Sequence, residues 1–391
     1  MTARPTDVAP VGHVQLPDSG LGRGWEGATL MVLTVVLLSF GLVTLYSASS
    51  VLATREGLPD TYFLLRQATA AGAGLMLLIP CALMPYRWWK RWSWPLLWVS
   101  VVALLVLILP GTEAIAPLIR GSRRSLQIGV SAQPSEFAKI AFVVWTAAMA
   151  VKKAPQFRSL TKGLAPFFVV WALVLIPIAL QPDLSTAVLI GVLGVMIIFA
   201  AGVRISHFLF LGLLILPFLQ KQLAVGFRAD RIEAFLNPAI DPSGAGYQVR
   251  QSLVALGSGG LTGVGIGQGR QKFGFLPDAH NDFIFAMIGE EWGLLGVVFV
   301  VALYLGIVLV GFRIASRAPD LFGELLALGF TNLIALQAVL HMSVGLGLVP
   351  PTGLALPLVS WGRSNLVVTL AAVGIVISVA RAASGGRVAR A

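Results

Sequence analysis

Leu276-Pro277-Asp278-Ala279-His280-Asn281-Asp282-Phe283-Ile284-Phe285 opens an apolar run that continues to Phe312, long enough to cross a hydrocarbon core about 30 Å thick. A small ionisable cluster therefore stands at the mouth of a membrane span. Charge is scarce: 12% of the residues are Asp, Glu, Lys or Arg and 57% are hydrophobic, so a carboxylate at this boundary has to be paired or functional to offset its desolvation. Asp282 is the first candidate for chemistry.

Outward from this stretch the same pattern repeats along all 391 residues, and the mean hydropathy is +0.86. The chain reads as an all-α polytopic membrane protein of about ten transmembrane helices, each near the 20-residue requirement. The expected spans are Gly27 to Ala48, Phe63 to Met84, Ser93 to Pro110, Pro134 to Val151, Leu164 to Leu180, Leu184 to Ala201, Ser206 to Leu219, Asp282 to Phe312, Glu324 to Val349 and Val359 to Ala380. Residues 1–24, rich in Pro, Gly and polar side chains, are expected to form a flexible cytoplasmic tail, with one membrane domain over 25–383 and a short basic tail over 384–391. The first span reads as uncleaved, because it exceeds a signal-peptide core and follows a long polar segment.

Short cytoplasmic loops retain Lys and Arg. With both termini inside, Arg87, Lys90, Arg91, Lys152, Lys153, Arg158, Lys162, Arg204, Arg313, Arg317, Arg381, Arg387 and Arg390 all fall on the cytoplasmic side. Arg120, Arg123 and Arg124 are exceptions in an outer loop, where they either face an anionic headgroup or are simply solvated. The formal net charge of +11 is mostly this asymmetry and gives no argument for nucleic acid. Trp88, Trp89 and Trp92 beside Arg87, Lys90 and Arg91 read as an interfacial belt. The single cysteine, Cys81, lies in a span, so neither a disulfide framework nor a thiolate metal site is expected.

The one long connection, 221–281, lies between the seventh and eighth spans and is expected outside. Asp241-Pro242-Ser243-Gly244 is turn chemistry. The series Gly263-Val264-Gly265-Ile266-Gly267-Gln268-Gly269 looks like a phosphate cradle but has neither a surrounding βαβ unit nor a Walker Lys-Ser/Thr. Close backbone packing or a short re-entrant helix is the better reading of those glycines, since irregular backbone at membrane depth must be buried in protein or line a polar cavity.

Four further positions stand out. Glu136 and Lys139 open the fourth span three residues apart, on one helix face, either as a structural ion pair or as a pair lining a cavity. Asp183 precedes the sixth span, where a helix-capping role is the simplest account. Glu290 and Glu291 lie about two turns beyond Asp282 with no sequence-local partner. Arg363 falls inside the expected last span, where a buried guanidinium demands a carboxylate, carbonyl or phosphate.

Five motifs in order carry a resemblance: Gln133-Pro134-Ser135-Glu136-x-x-Lys139, Gln181-Pro182-Asp183-Leu184, Asp241-Pro242-x-Gly244-x-Gly246-Tyr247, Leu276-Pro277-x-x-His280-x-Asp282-Phe283-Ile284-Phe285, and Pro357-Leu358-x-Ser360. Together they resemble the SEDS family of bacterial peptidoglycan glycosyltransferases, typified by FtsW and RodA. Gly267 to Lys272 and Ile288 to Glu291 look closer to FtsW members, with RodA members second. The resemblance implies a ten-helix enzyme that polymerises lipid II on the outer face of the cytoplasmic membrane, with Asp282 as catalytic aspartate and Glu136, Lys139 and Asp183 as cavity charges. It also implies a class B penicillin-binding protein transpeptidase as partner, with other divisome or elongasome membrane proteins. Such families usually carry Ser-Tyr-Gly-Gly-Ser where this chain has Ser360-Trp361-Gly362-Arg363-Ser364.

The expected mechanism has Asp282 as general base on the acceptor sugar's 4-hydroxyl, with Lys139 and Arg124 compensating the leaving pyrophosphate. His280, Ser360 and Arg363 are the remaining candidates for substrate contact. No organic cofactor is expected, and a Mg²⁺ or Mn²⁺ ion, where used, would be shared with the substrate's pyrophosphate. Two rival classes fit some of these features: a lipid-linked precursor flippase or transporter, and an inactive scaffold for division partners.

Overall fold

The computed structural model describes residues 24–118, 122–128, 130–157, 159–208, 212, 216–217, 220–221, 226–236 and 244–388. Its helices are α1 (Trp25–Arg55), α2 (Tyr62–Leu83), α3 (Arg87–Val106), α4 (Pro134–Lys153), α5 (Ala165–Leu180), α6 (Leu184–Ala200), α7 (Gly226–Leu236), α8 (Ala245–Ser258), α9 (Ile284–Ser316), α10 (Leu321–Gly345) and α11 (Arg363–Val388). One small antiparallel hairpin precedes α4, with β1 (Leu126–Ile128) paired to β2 (Val130–Ala132) and Leu126 opposite Ala132. Seven of the helical segments are long and apolar enough to cross a membrane, and α6 is a shorter apolar helix. The seventh expected span, Ser206 to Leu219, falls largely outside the described residues, as do Asp241 and Pro242 of the third motif.

The bundle is layered by burial. α4, α10 and α11 run through the interior, while α1, α2, α5 and α9 keep apolar faces such as Val32, Met76, Val169 and Leu295 turned outward. Lipid solvates those faces as well as protein would, so the interior helices need another basis for packing, and small residues supply it. Gly194 of α6 is filled by Trp171 and Phe142, and Gly329 of α10 by Val143 and Ile197. Buried polar side chains lie at the starts of α4 and α11 and also within α10, where Thr331, Asn332 and Gln337 are enclosed.

The two ends of the bundle differ in chemistry. At one end Arg313 and Arg317 hold Glu26, Asp320 accepts from Tyr86 and Arg87, and Arg381 donates to Ala82 O. Both termini of the membrane domain lie there, since Gly24 packs against Ser384. At the other end Arg55 donates to Phe273 O at 2.6 Å, and the Asp282 loop meets the start of α11. The rings of Trp88 and Trp92 lie 5.2 Å apart and are exposed, as an interfacial belt requires.

The long connection between the seventh and eighth expected spans carries helices of its own, α7 and α8. Two span expectations are corrected. The eighth span is broken: Gly293 has φ 66° and ψ −163°, so α9 is a short first piece and a longer second one. The last span starts at Arg363 rather than Val359, because Leu358 at φ 67° turns the chain and Ser360 to Gly362 remain outside the helix. At its far end α11 continues to Val388, so the segment expected as a tail from residue 384 is helical that far.

Candidate active site

Proline at the first helical position sets the entry of α4, since its missing N–H is one the helix start leaves unused anyway. The preceding Gln133 N–H donates to Ser364 Oγ at 3.0 Å, fastening α4 to the first turn of α11. One turn on, Glu136 Oε1 accepts from Lys139 Nζ at 2.8 Å and Glu136 Oε2 accepts from Asn365 Nδ2 at 2.9 Å. Lys139 is fully buried and Glu136 nearly so. Glu136 thus pairs with Lys139 and also lines a cavity of about 260 Å³, while Lys139 sits behind it and is not on the wall.

The cavity wall is built from five separate stretches of chain: Ser125, Ser131, Gln133 and Glu136 from the hairpin region and the start of α4, Thr186 of α6, Asn281 before α9, Gly353 to Ala355, and Trp361 to Asn365 at the start of α11. Asp282 directly follows Asn281 and is half-buried. Its loop is stitched to the segment before α11. Ser360 Oγ donates to Asn281 O at 2.8 Å and accepts from Leu356 N–H at 2.9 Å, and Trp361 N–H donates to His280 O at 3.1 Å. The ring of Phe63 lies 5.0 Å from that of His280 and 5.1 Å from that of Trp361. Gln67 Nε2 adds a bond to Ser360 O at 3.0 Å from α2.

Asp282 lies one residue before the N-cap position of α9, which Phe283 holds. Ser360 and His280 hold the Asp282 loop rather than line the cavity. Asp183 does cap, its Oδ1 accepting from Thr186 N–H at 3.3 Å, and thereby sets the position of Thr186 on the wall. Arg124 donates to Gln181 O and Pro182 O at 3.1 and 2.6 Å, so it clamps the α5–α6 turn, while Arg123 pairs with Glu113 at 2.8 Å. Arg120 lies outside the described residues. Arg363 is not buried within a span: it is the first residue of α11, half-buried, on the cavity wall.

Glu290 and Glu291 find their partners in the glycine-rich segment. Glu290 Oε1 accepts from the N–H groups of Arg270 and Gln271 at 2.8 and 3.3 Å, and Glu291 Oε1 accepts from Lys272 Nζ at 3.0 Å and from Ser47 Oγ at 2.7 Å. The interrupted backbone of α9 is satisfied there too. Val264 and Gly265 N–H donate to Glu290 and Glu291 O, and Leu294 and Leu295 N–H donate to Gly260 and Leu261 O. A Cβ at Gly263 would collide with Glu291 O, and one at Gly293 with the backbone of Gly263. The glycines are thus a close backbone packing element, as their context requires. Among the described residues no group of three or more His, Cys, Asp or Glu is placed to hold a metal ion.

Asn281, Thr186, Gln133, Asn365 and Gln67 are site residues that charge alone does not reveal. Their signal is rarity, since each is an amide or hydroxyl beside a long apolar run.

Residues 28–385 match the family model for the FtsW, RodA and SpoVE cell cycle proteins. The chain belongs to the FtsW/RodA/SpoVE family. It is 40% identical over 352 residues to a Trichlorobacter lovleyi protein described as "Probable peptidoglycan glycosyltransferase FtsW", covering 90% of this chain and 92% of that one. It is 38% identical over 354 residues to stage V sporulation protein E of Bacillus subtilis, covering 90% and 96%. Among solved structures it resembles a component of a peptidoglycan synthase complex, described as coordinating polymerization and crosslinking, with TM-score 0.75, 28% identity and coverage of 90% and 97%. The rod shape determining protein RodA of Thermus thermophilus matches with TM-score 0.66, 29% identity and coverage of 93% and 98%. The family match thus runs from the start of α1 almost to the end of α11.

Proposed function

We infer that this chain is a peptidoglycan glycosyltransferase that polymerises lipid II into glycan strands. The observation that carries the reading is the Asp282 loop, held by Ser360 and Trp361 against a polar cavity inside an otherwise apolar bundle. A carboxylate that adjoins such a cavity is suited to take a proton.

In the proposed reaction Asp282 accepts the proton of the acceptor sugar's 4-hydroxyl as that oxygen attacks the donor's anomeric carbon. The bond from that carbon to the phosphate oxygen breaks, the configuration inverts and the prenyl pyrophosphate departs with the bonding electrons. Pyrophosphate is already a good leaving group, so no strong general acid is required. Glu136 is the one carboxylate among the cavity-lining residues and both its oxygens are occupied. A resident divalent ion does not fit that arrangement; a Mg²⁺ or Mn²⁺ ion, where one takes part, arrives with the pyrophosphate.

The basic end of the bundle faces the cytoplasm in this reading, following the distribution of Lys and Arg, so both termini are inside and the cavity opens to the exterior. A class B penicillin-binding protein transpeptidase is the proposed partner. Septal synthesis is the proposed setting, on the likeness of Gly267 to Lys272 and Ile288 to Glu291 to FtsW members, with elongation as the alternative.

One feature favours a second reading as a lipid flippase, since helices broken at mid-membrane, as α9 is at Gly293, also occur in carriers. Purified protein reconstituted in liposomes with fluorescent lipid II, with and without the transpeptidase, separates the two. Long glycan strands are expected; lipid scrambling without chain growth would overturn the polymerase reading.

A further inference from the structure

The cavity's electrostatics are unbalanced in one direction. Glu136 is neutralised by Lys139 behind it, and its second oxygen is taken by Asn365. Arg124, just before the hairpin, spends its guanidinium on the carbonyls of Gln181 and Pro182. Arg363 remains on the wall, and no hydrogen bond or ion pair to its side chain occurs among the described residues. Its position is unfavourable for the fold. Cations stabilise helix C-termini and are disfavoured at N-termini, where the macrodipole is positive, yet Arg363 is the first residue of the 26-residue α11. The side chain therefore adds to a positive potential already present at Gly362 to Asn365.

A wall that combines an unpaired planar guanidinium, a helix N-terminus and the hydroxyls of Ser125 and Ser131 suits a multiply charged oxyanion. We propose that Arg363 binds the pyrophosphate of the prenyl-linked substrate and carries the negative charge that builds on it as the glycosidic bond forms. This rests on the polymerase reading and assigns the pyrophosphate contact to Arg363 in place of Lys139 and Arg124. Arginine suits the task because its fork of donors meets two phosphate oxygens at once and keeps its charge at every relevant pH. Trp361, on the same wall, places an indole beside the site.

Binding is separable from turnover in Asp282→Asn protein, purified in full-length form in detergent. Tryptophan fluorescence is titrated with undecaprenyl pyrophosphate, with undecaprenol, and with soluble disaccharide-peptide lacking the lipid and phosphates. The pyrophosphate should bind about tenfold or more tighter than the alcohol, as one or two charge-assisted hydrogen bonds allow. Adding Arg363→Ala should remove that preference, Arg363→Lys should retain part of it, and neither should lower the melting temperature of the unliganded protein. In the Asp282 wild type, Arg363→Ala should raise KM for lipid II and also reduce kcat. Undiminished preference for pyrophosphate in Arg363→Ala would overturn the assignment, as would Arg363-dependent binding of the soluble disaccharide-peptide alone. Arg363-dependent pyrophosphate binding in a wild-type protein that makes no glycan would instead sink the polymerase reading and leave the anion site standing.

Discussion

Ser360 Oγ donates to the carbonyl oxygen of Asn281 at 2.8 Å, across 79 positions of chain, and the next residue is Asp282. The same hydroxyl accepts from Leu356 N–H at 2.9 Å, so one buried side chain ties the loop before α11 to the loop before α9. Ser360→Ala should leave two backbone groups without that partner and cost about 1–3 kcal/mol of stability. Because the bond holds Asp282 rather than touching substrate, kcat should fall more than KM rises. Thermal unfolding and steady-state polymerisation check both parts.

The Glu136–Lys139 pair is enclosed, with Lys139 fully buried. Removing one partner strands the other charge, a loss of about 3–5 kcal/mol, whereas removing both costs far less. Glu136→Gln is therefore expected to unfold at markedly lower temperature than wild type, and Glu136→Gln with Lys139→Met to recover most of the difference. A double-mutant cycle by thermal melts measures the coupling.

Gly263 and Gly293 face each other where the glycine-rich segment crosses the break in α9, both at positive φ. Gly263→Ala has no room for its methyl beside Glu291 O and should destabilise by about 1–3 kcal/mol through overpacking, with further strain from its backbone angle. Because that segment also supplies Lys272 to Glu291, protease cleavage between residues 259 and 273 should become faster. Unchanged proteolysis would show that this packing does not hold the segment.

Asp320 caps α10 through Gly323 N–H at 2.9 Å and accepts from Tyr86 and Arg87 at 2.9 and 3.1 Å. Partial burial works to raise its pKa, but those three donors outweigh it and hold the carboxyl below its ordinary value. A depressed carboxylate stabilises the fold above its unfolded pKa and loses that contribution as pH falls through its folded one. Asp320→Ala should cost about 1 kcal/mol at neutral pH, and the gap from wild type should close as melts are taken from pH 6 down towards pH 3.

Most spans are legible in the amino-acid sequence because a hydrocarbon layer imposes a minimum apolar length, and α1, α2, α4, α5 and α6 start and stop within a turn or two of where hydropathy puts them. The break at Gly293 is hidden because apolar residues continue on both sides of it. The partners of Glu290 and Glu291 are hidden for another reason: they come from a segment about twenty positions earlier that returns by glycine turns, beyond any helical i,i+4 rule. Arg363 reads as buried only if the last helix is counted from Val359. The turn at Leu358 moves it to a helix start and makes it a wall residue. Asp282, Glu136 and Asp183 stand out beforehand because carboxylates are rare in this chain. Asn281, Asn365 and Thr186 carry no charge and become visible only when the wall segments meet.

The most direct test of the account is glycan synthesis from purified lipid II by full-length Asp282→Ala protein beside wild type, both shown by thermal melts to be folded and supplied with the same transpeptidase. Strand formation should drop at least about a hundredfold, the scale of a lost general base, with lipid II binding retained. Wild-type rates of polymerisation from the alanine protein would contradict the central claim.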